Sequence, residues 1–298
     1  MKKFKISKKQ KKQLIIAVVL LIIAVISFIV NNRRQPAPAP ASPSVSETVN
    51  LQYNGELYVA VNNHQPNFTE DELKAEPYEF YSELDALGRC GYAMACLSKE
   101  LMPTEDRTTI GHVKPSGWQS VQYDFVDGRY LYNRSHLIGF QLAGENDNEK
   151  NLITGTRYFN ATGMLEFENM VADYIKETGN RVLYRVTPVY DGDDLVAKGV
   201  YMEAMSVEDQ GEGICFHVFV FNVQPGVVID YSTGESRVDE EYFNKDAQNF
   251  VLNTGSKRFH KPTCADAGSM KPENRQEVRT SKEVLTAQGY KPCGSCKP

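Results

Sequence analysis

Between Tyr130 and Phe167 the chain reads YLYNRSHLIGFQLAGENDNEKNLITGTRYFNATGMLEF, which gathers one histidine, two arginines and several asparagines ahead of an apolar periodic segment. His136 suits a general base, because an imidazole titrates near neutrality. Arg134 and Arg157 are fixed cations for phosphate oxygens, and Asn160 offers a neutral oxygen of the kind magnesium accepts while keeping most of its water shell. Phosphodiester hydrolysis needs these parts: a base for the attacking water, a metal for the charge on phosphate and leaving oxygen, and a cation for the flanking phosphate. Taken singly, each has a structural reading. A lone histidine is usually a satisfied structural one, an asparagine before a helix is a cap, and Glu168 on a helix faces solvent or a cation.

A second constellation closes the chain. His260 and Cys264 (H-x3-C) are followed after 28 residues by Cys293 and Cys296 (C-x2-C), four soft ligands at a spacing that suits tetrahedral zinc. A disulfide between Cys293 and Cys296 is the competing use. Residues 251–298 carry nine basic and four acidic side chains, with Lys257, Arg258, Lys261 and Lys271 as candidates for weak DNA contact. Cys90 and Cys96 are either a disulfide or two buried free thiols, and Cys215 reads as a lone core thiol. His112 and His217 are assigned no chemistry.

The elements that must hold these residues follow from periodicity. Thr69 caps an expected helix to Leu87. Ser120–Phe125 and Arg129–Tyr132 flank Val126-Asp127-Gly128 as an expected hairpin, and Asn151–Thr154 reads as a short strand. Tyr123, Tyr130 and Tyr132 could stack on bases, although alternating aromatics in a strand usually pack. Met164, Phe167, Val171, Tyr174 and Ile175 recur at helical spacing up to Gly179. Arg181–Tyr190, Val196–Ala204 and Ile214–Val223 read as strands, so the core is α+β around an antiparallel sheet. Residues 239–250 read as a polar link.

Charge and hydropathy divide the chain further. Leu14–Val30 is a seventeen-residue apolar run preceded by seven lysines, which orients the N-terminus to the cytoplasm and exports everything after residue 34. A retained anchor is the expectation; a cleaved signal peptide, with its site among Ala37, Ala39 and Ala41, is the competitor. Residues 35–48, QPAPAPASPSVSET, form a stalk. Nine of the 33 basic residues precede residue 35, so the rest holds 24 basic against 38 acidic side chains, a net of −14. A polyanion must then be gripped locally by arginines and metal, since the overall field repels it.

Asn133-Arg134-Ser135-His136 resembles the Asp-Arg-Gly-His signature of the DNA/RNA non-specific endonuclease family, whose active site is a ββα-metal unit. Asn151, Asn160 and Glu168 follow at the family's spacing, nine and then eight residues apart, and NLITGTRYFN and FENMVADY are similar to the DNA-entry nuclease branch. The resemblance covers roughly residues 55–235. Asn133 replaces the usual aspartate and Ser135 the usual glycine. It implies that His136 is the general base, that Asn160 binds Mg2+ (or Mn2+), that Arg134 and Arg157 contact phosphate, that Glu168 supports metal-bound waters, and that Asn151 orients the site.

FHKPTC and GYKPCGSCKP resemble the zinc module of Ada-type repair proteins, with His260 where that family has a cysteine. The expected layout is a basic tail (1–13), a transmembrane anchor (14–30), a Pro/Ala-rich linker (31–50), an α+β nuclease domain (51–246) with its ββα-metal core on an antiparallel sheet, and a zinc module (247–298). The expected partners are DNA or RNA and a membrane, with no small-molecule organic cofactor. The rival readings are a catalytically impaired DNA-capture protein and a scaffold whose working part is the zinc module.

Overall fold

The computed structural model describes residues 52–298 except Ala75 and Asp246. The expected anchor and linker, 14–30 and 31–50, lie outside these residues. Among the described residues no helix is long and apolar enough to cross a membrane.

The scaffold is an antiparallel six-stranded sheet built from β1 (Tyr58–Ala60), β2 (Tyr78–Tyr81), β3 (Ala93–Leu97), β6 (Val182–Val189), β7 (Gly199–Ser206) and β8 (Cys215–Phe221), in the order β1-β8-β7-β6-β3-β2. The segment that carries His136 forms a separate two-stranded antiparallel pair, β4 (Tyr132–His136) with β5 (Leu152–Thr156). A four-residue helix α1 (Phe140–Ala143) lies between these strands, and β5 leads into a π-turn (Phe159–Met164) and helix α2 (Leu165–Thr178). The apolar stripe read from the sequence is the stripe that buries. Phe167, Val171, Ala172 and Ile175 join one core with Tyr184, Val186, Val200, Met202, Phe216 and Val218 from the sheet. Each such large apolar side chain contributes about 1.5–3 kcal/mol on burial.

Asn222 fastens the β4–β5 pair to the rest. Fully buried, it accepts from the Thr156 N–H and donates to the carbonyls of Thr154 and Ala197 at 2.9–3.0 Å. On another part of the sheet Arg185 donates to Glu203 at 2.7 Å and to the Asn67 carbonyl at 3.0 Å, pinning the segment before β2.

Two elements differ from expectation. The hairpin expected over 120–132 is reduced to one antiparallel bridge between Gln122 and Tyr130, because the segment bends through successive turns before β4 begins at Tyr132. Thr69 does cap, and the box with Glu72 is reciprocal at 2.7 and 3.2 Å, but it starts a single 3-10 turn (Glu72–Lys74) rather than a helix to Leu87. Pro77 cannot continue the helical bonding, and the YEFY run that follows pairs with β3 instead. The polar link contains a short helix α3 (Glu240–Asn244), capped by Asp239.

After a two-stranded antiparallel pair, β9 (Val227–Ile229) with β10 (Ser236–Val238), comes a second, four-stranded sheet, ordered β13-β11-β12-β14 from β11 (Gln248–Asn253), β12 (Arg258–His260), β13 (Arg275–Thr280) and β14 (Lys291–Pro292). It carries α4 (Ala265–Gly268) and α5 (Lys282–Ala287) and has its own small core of Phe250, Leu252, Phe259, Leu285 and Tyr290. Cys90 and Cys96 form no disulfide, and burial pushes their thiols up to about 12 and about 11. Cys215, expected in the core, sits half-buried at the start of β8.

Candidate active site

His136 ends β4, and its ring is buried. Nε2 lies 2.9 Å from the carbonyl oxygen of Asn146, an acceptor only, so Nε2 carries the proton and Nδ1 presents its lone pair. Burial holds the imidazole down at about 4, which keeps it neutral and able to accept a proton at physiological pH. Arg107 Nη2 stands 3.4 Å from Nδ1 and donates toward it.

Arg107 is the site residue that the sequence reading missed. It sits in an irregular stretch with no motif around it, and only the fold brings it to His136. Asn146 couples the two, because its carbonyl holds the imidazole while its amide donates to Thr108, the neighbour of Arg107.

Arg107, Asn133, Arg134, Arg157 and Asn160 line one open groove, together with Trp118, Asp127, Tyr130 and Tyr132. Arg134 lies flat on Trp118, 4.0 Å from the ring centroid, and donates through Nε and Nη2 to the carbonyls of Val113 and Gly111. It therefore braces the 111–113 loop as well as facing the groove. Arg157 grips Asp127 through Nε and Nη2 at 3.0 and 2.8 Å, and its Nη1 reaches the Asn133 side-chain oxygen at 3.5 Å. Asn133 thus takes part in the arginine network as a neutral acceptor.

Asn160 lies near the start of the π-turn, whose first amides are satisfied by Gln224 Oε1 on Tyr158 and Thr156 Oγ1 on Phe159. Such turns are frequent at functional sites. The side chain of Asn160 is engaged by no described residue, unlike those of Asn133 and Asn151, and lines the groove with its oxygen free to coordinate. That is the donor chemistry a hydrated divalent cation accepts, and the site fits one.

Glu168 is on the first turn of α2. Protein surrounds its carboxyl, and this burial raises it to about 7 against the lowering effects of Gln141 and Arg107. Asn151 does not reach the groove. Fully buried, it clamps the backbone of Ile138, accepting from its N–H at 2.8 Å and donating to its carbonyl at 3.0 Å, and so fixes the chain leaving His136.

His260, Cys264, Cys293 and Cys296 converge at the other constellation, with all four ligand atoms within 4.8 Å of one another. The Nδ1 of His260 is 3.5 Å from Cys264 Sγ. Four soft donors drawn together in this way fit a tetrahedral zinc ion.

Residues 65–208 match the family described as DNA/RNA non-specific endonuclease. A deoxyribonuclease from Streptococcus dysgalactiae subsp. equisimilis is 35% identical over 121 residues, covering 37% of this chain and 36% of that protein, so the likeness spans about a third of the relative's length. NucA from Streptococcus agalactiae with no metal bound superposes with a TM-score of 0.53 at 28% identity, over 60% of this chain and 85% of that one. The same protein with magnesium bound gives 0.54 at 26%, over 60% and 86%. Residues 65–208, which hold His136, Arg107 and Asn160, are a DNA/RNA non-specific endonuclease domain.

Proposed function

We propose that the chain is a membrane-anchored extracellular endonuclease that hydrolyses phosphodiester bonds of DNA or RNA without reading base sequence, with a catalytic Mg2+ ion and a structural Zn2+ ion. The observation that carries the reading is the neutral His136 with its Nε2–H anchored on Asn146 and its Nδ1 aimed toward a groove of three arginines.

The residues divide the work by chemistry. His136 Nδ1 takes the proton of the attacking water. Arg107, now resting on that nitrogen, moves onto phosphate when substrate enters and leaves Nδ1 free. Arg134 and Arg157 hold phosphate oxygens, contacts that position a strand without carrying sequence information. Asn160 would hold the magnesium ion, with Glu168 receiving hydrogen bonds from its water shell. When bound, the metal supplies charge neutralisation at the scissile phosphate and leaving oxygen. Asn151 keeps the histidine strand in place.

NucA, to which the fold is similar, has been seen with magnesium, and this supports the assignment of that ion. His260, Cys264, Cys293 and Cys296 would hold the zinc. The apolar run at Leu14–Val30 with its lysine-rich flank motivates the anchor and the extracellular placement.

The test incubates plasmid with the purified full-length chain in detergent and Mg2+, beside a His136→Ala variant and an EDTA control. Cutting by the native chain alone is expected. Intact plasmid in every lane, with binding retained, would establish the DNA-capture reading instead.

A further inference from the structure

We propose that Tyr130 is a nucleobase-stacking residue that holds one unstacked base of the substrate strand beside the arginines of the groove, an inference that rests on the nuclease reading above.

The segment 120–132 that bears Tyr130 has four aromatic side chains, and three are consumed by the fold. Tyr123 hydrogen-bonds through its hydroxyl to Ser236 at 2.9 Å, Phe125 packs edge-on against Phe243 with centroids 4.8 Å apart, and the buried Tyr132 donates to the Gly234 carbonyl at 2.9 Å. Tyr130 alone is left open, 53% exposed, in a groove it shares with Arg107, Arg134 and Arg157. A large exposed ring among fixed cations matches the pattern of single-strand binding, in which a basic track carries the backbone and aromatic faces carry the bases. Every base has a π-face, so such a contact leaves cleavage independent of sequence.

The backbone that carries the ring is held in place before any ligand arrives. Its residue bridges to Gln122, and the turn beside it is closed by Arg129 N–H to Val126 O at 2.8 Å and Tyr123 N–H to Arg129 O at 2.9 Å. Gly128 and Arg129 take positive φ of 68° and 69° to make that turn. Asp127, in the same turn, is the ion-pair partner of Arg157 at 2.8 Å. Tyr130 and a phosphate-holding arginine are therefore tied to one hydrogen-bonded turn, which sets the backbone position of the stacking residue before binding. Bases inside a duplex already stack on their neighbours, so the contact selects a strand that is single or locally opened.

The chain has a single tryptophan, and Trp118 lies in the groove against Arg134, so intrinsic fluorescence reports occupancy directly. The experiment titrates the full-length His136→Ala chain in Mg2+ with a short single-stranded DNA and with the same DNA made abasic at each position in turn, then repeats both series with Tyr130→Ala and Tyr130→Phe added. One abasic position should weaken binding by about 5- to 150-fold. Tyr130→Ala should weaken binding of the intact strand by a similar factor and abolish the abasic effect, and Tyr130→Phe should behave as the parent does. An abasic series without any sensitive position, or abasic and Tyr130→Ala losses that simply multiply, overturns the inference. Plasmid cutting by the native chain is scored separately. A chain that binds as described without cutting loses the nuclease reading but keeps Tyr130 as a stacking residue.

Discussion

Gly139 passes so close to the Glu168 carboxyl that a β-carbon at that position would stand 2.6 Å from Oε2 and 2.7 Å from Cδ. The glycine thus leaves the space in which the carboxylate sits. Because the obstructing atoms are the far end of a flexible side chain rather than backbone, Gly139→Ala should fold and melt nearly as the native chain does, while Glu168 is pushed aside. Losing the orientation of a group that supports a metal's waters costs about 10- to 100-fold in activity or metal affinity. The expected result is a fall of that order in kcat with little change in Tm. Retention of full activity would show that Glu168 is not needed in its present place.

His136 and Glu168 are pulled in opposite directions by the same cause. Burial lowers the histidine from 6.5 to about 4 and raises the carboxyl from 4.5 to about 7. The folded state therefore binds fewer protons than the unfolded chain at His136, and stability from that site rises with pH between about 4 and 6.5. At Glu168 the folded state binds more, and stability from that site is lost as pH rises from 4.5 through 7. Between 4.5 and 6.5 the two slopes oppose each other. In EDTA, Glu168→Gln should make the chain gain stability with rising pH across that window by up to about 1.4 kcal/mol per unit. His136→Asn should leave the opposite slope. Tm measured in steps of pH decides it, and parallel profiles for native and variant chains would contradict the assignment.

Much of the site was legible because its chemistry is local in sequence. Asn133, Arg134 and His136 fall on one strand and Glu168 on the following helix, whose periods of two and 3.6 are readable, with Asn151, Arg157 and Asn160 in the short turns that flank β5, and the apolar stripe within 164–178 became the buried face of α2. What was hidden depends on long-range folding. Arg107 reaches His136 from 29 residues upstream through a segment without regular structure, so no spacing rule could point to it. Asn222 and Arg185 act through bonds to remote backbone, and their types alone say nothing of burial. The expected Thr69 helix failed because a good cap was outweighed by Pro77 and by a strand partner that only the tertiary fold supplies.

Ser135, which stands where the family signature has glycine, is fully buried, and its hydroxyl has no hydrogen-bond partner. It is accommodated because Gly155 on the paired strand lacks the side chain that would otherwise fill the space beside it. An unpaired buried hydroxyl costs about 1–3 kcal/mol. Ser135→Ala removes that cost and little volume, so it should stabilise the chain by about 1 kcal/mol, roughly 2–4 °C in Tm for a domain of this size. Cleavage should be unchanged, since neither the His136 hydrogen bonds nor the groove involves this oxygen. A lower Tm for the alanine variant would mean that the hydroxyl finds a partner in solution.

The second sheet closes on a small core, and its four converging ligands belong to three different pieces of chain. His260 ends β12, Cys264 caps α4, and Cys293 and Cys296 follow β14. A metal there joins elements that the five-residue cluster around Phe259 holds weakly by itself, so binding free energy becomes folding free energy for this part. The main sheet, with its much larger core, has no share in these ligands. A strong zinc chelator, or Cys264→Ser, should therefore unfold residues 248–298 while the nuclease domain stays folded. Hydrogen exchange should then accelerate across β11 to β14 and remain slow in β6 to β8, with stoichiometric zinc in the native chain and none in the variant. The disulfide alternative predicts a native chain without zinc, two fewer alkylatable thiols, and no response to the chelator. Mass spectrometry after alkylation separates the two, because a zinc-bound set yields all three thiols, Cys264, Cys293 and Cys296, once the metal is removed.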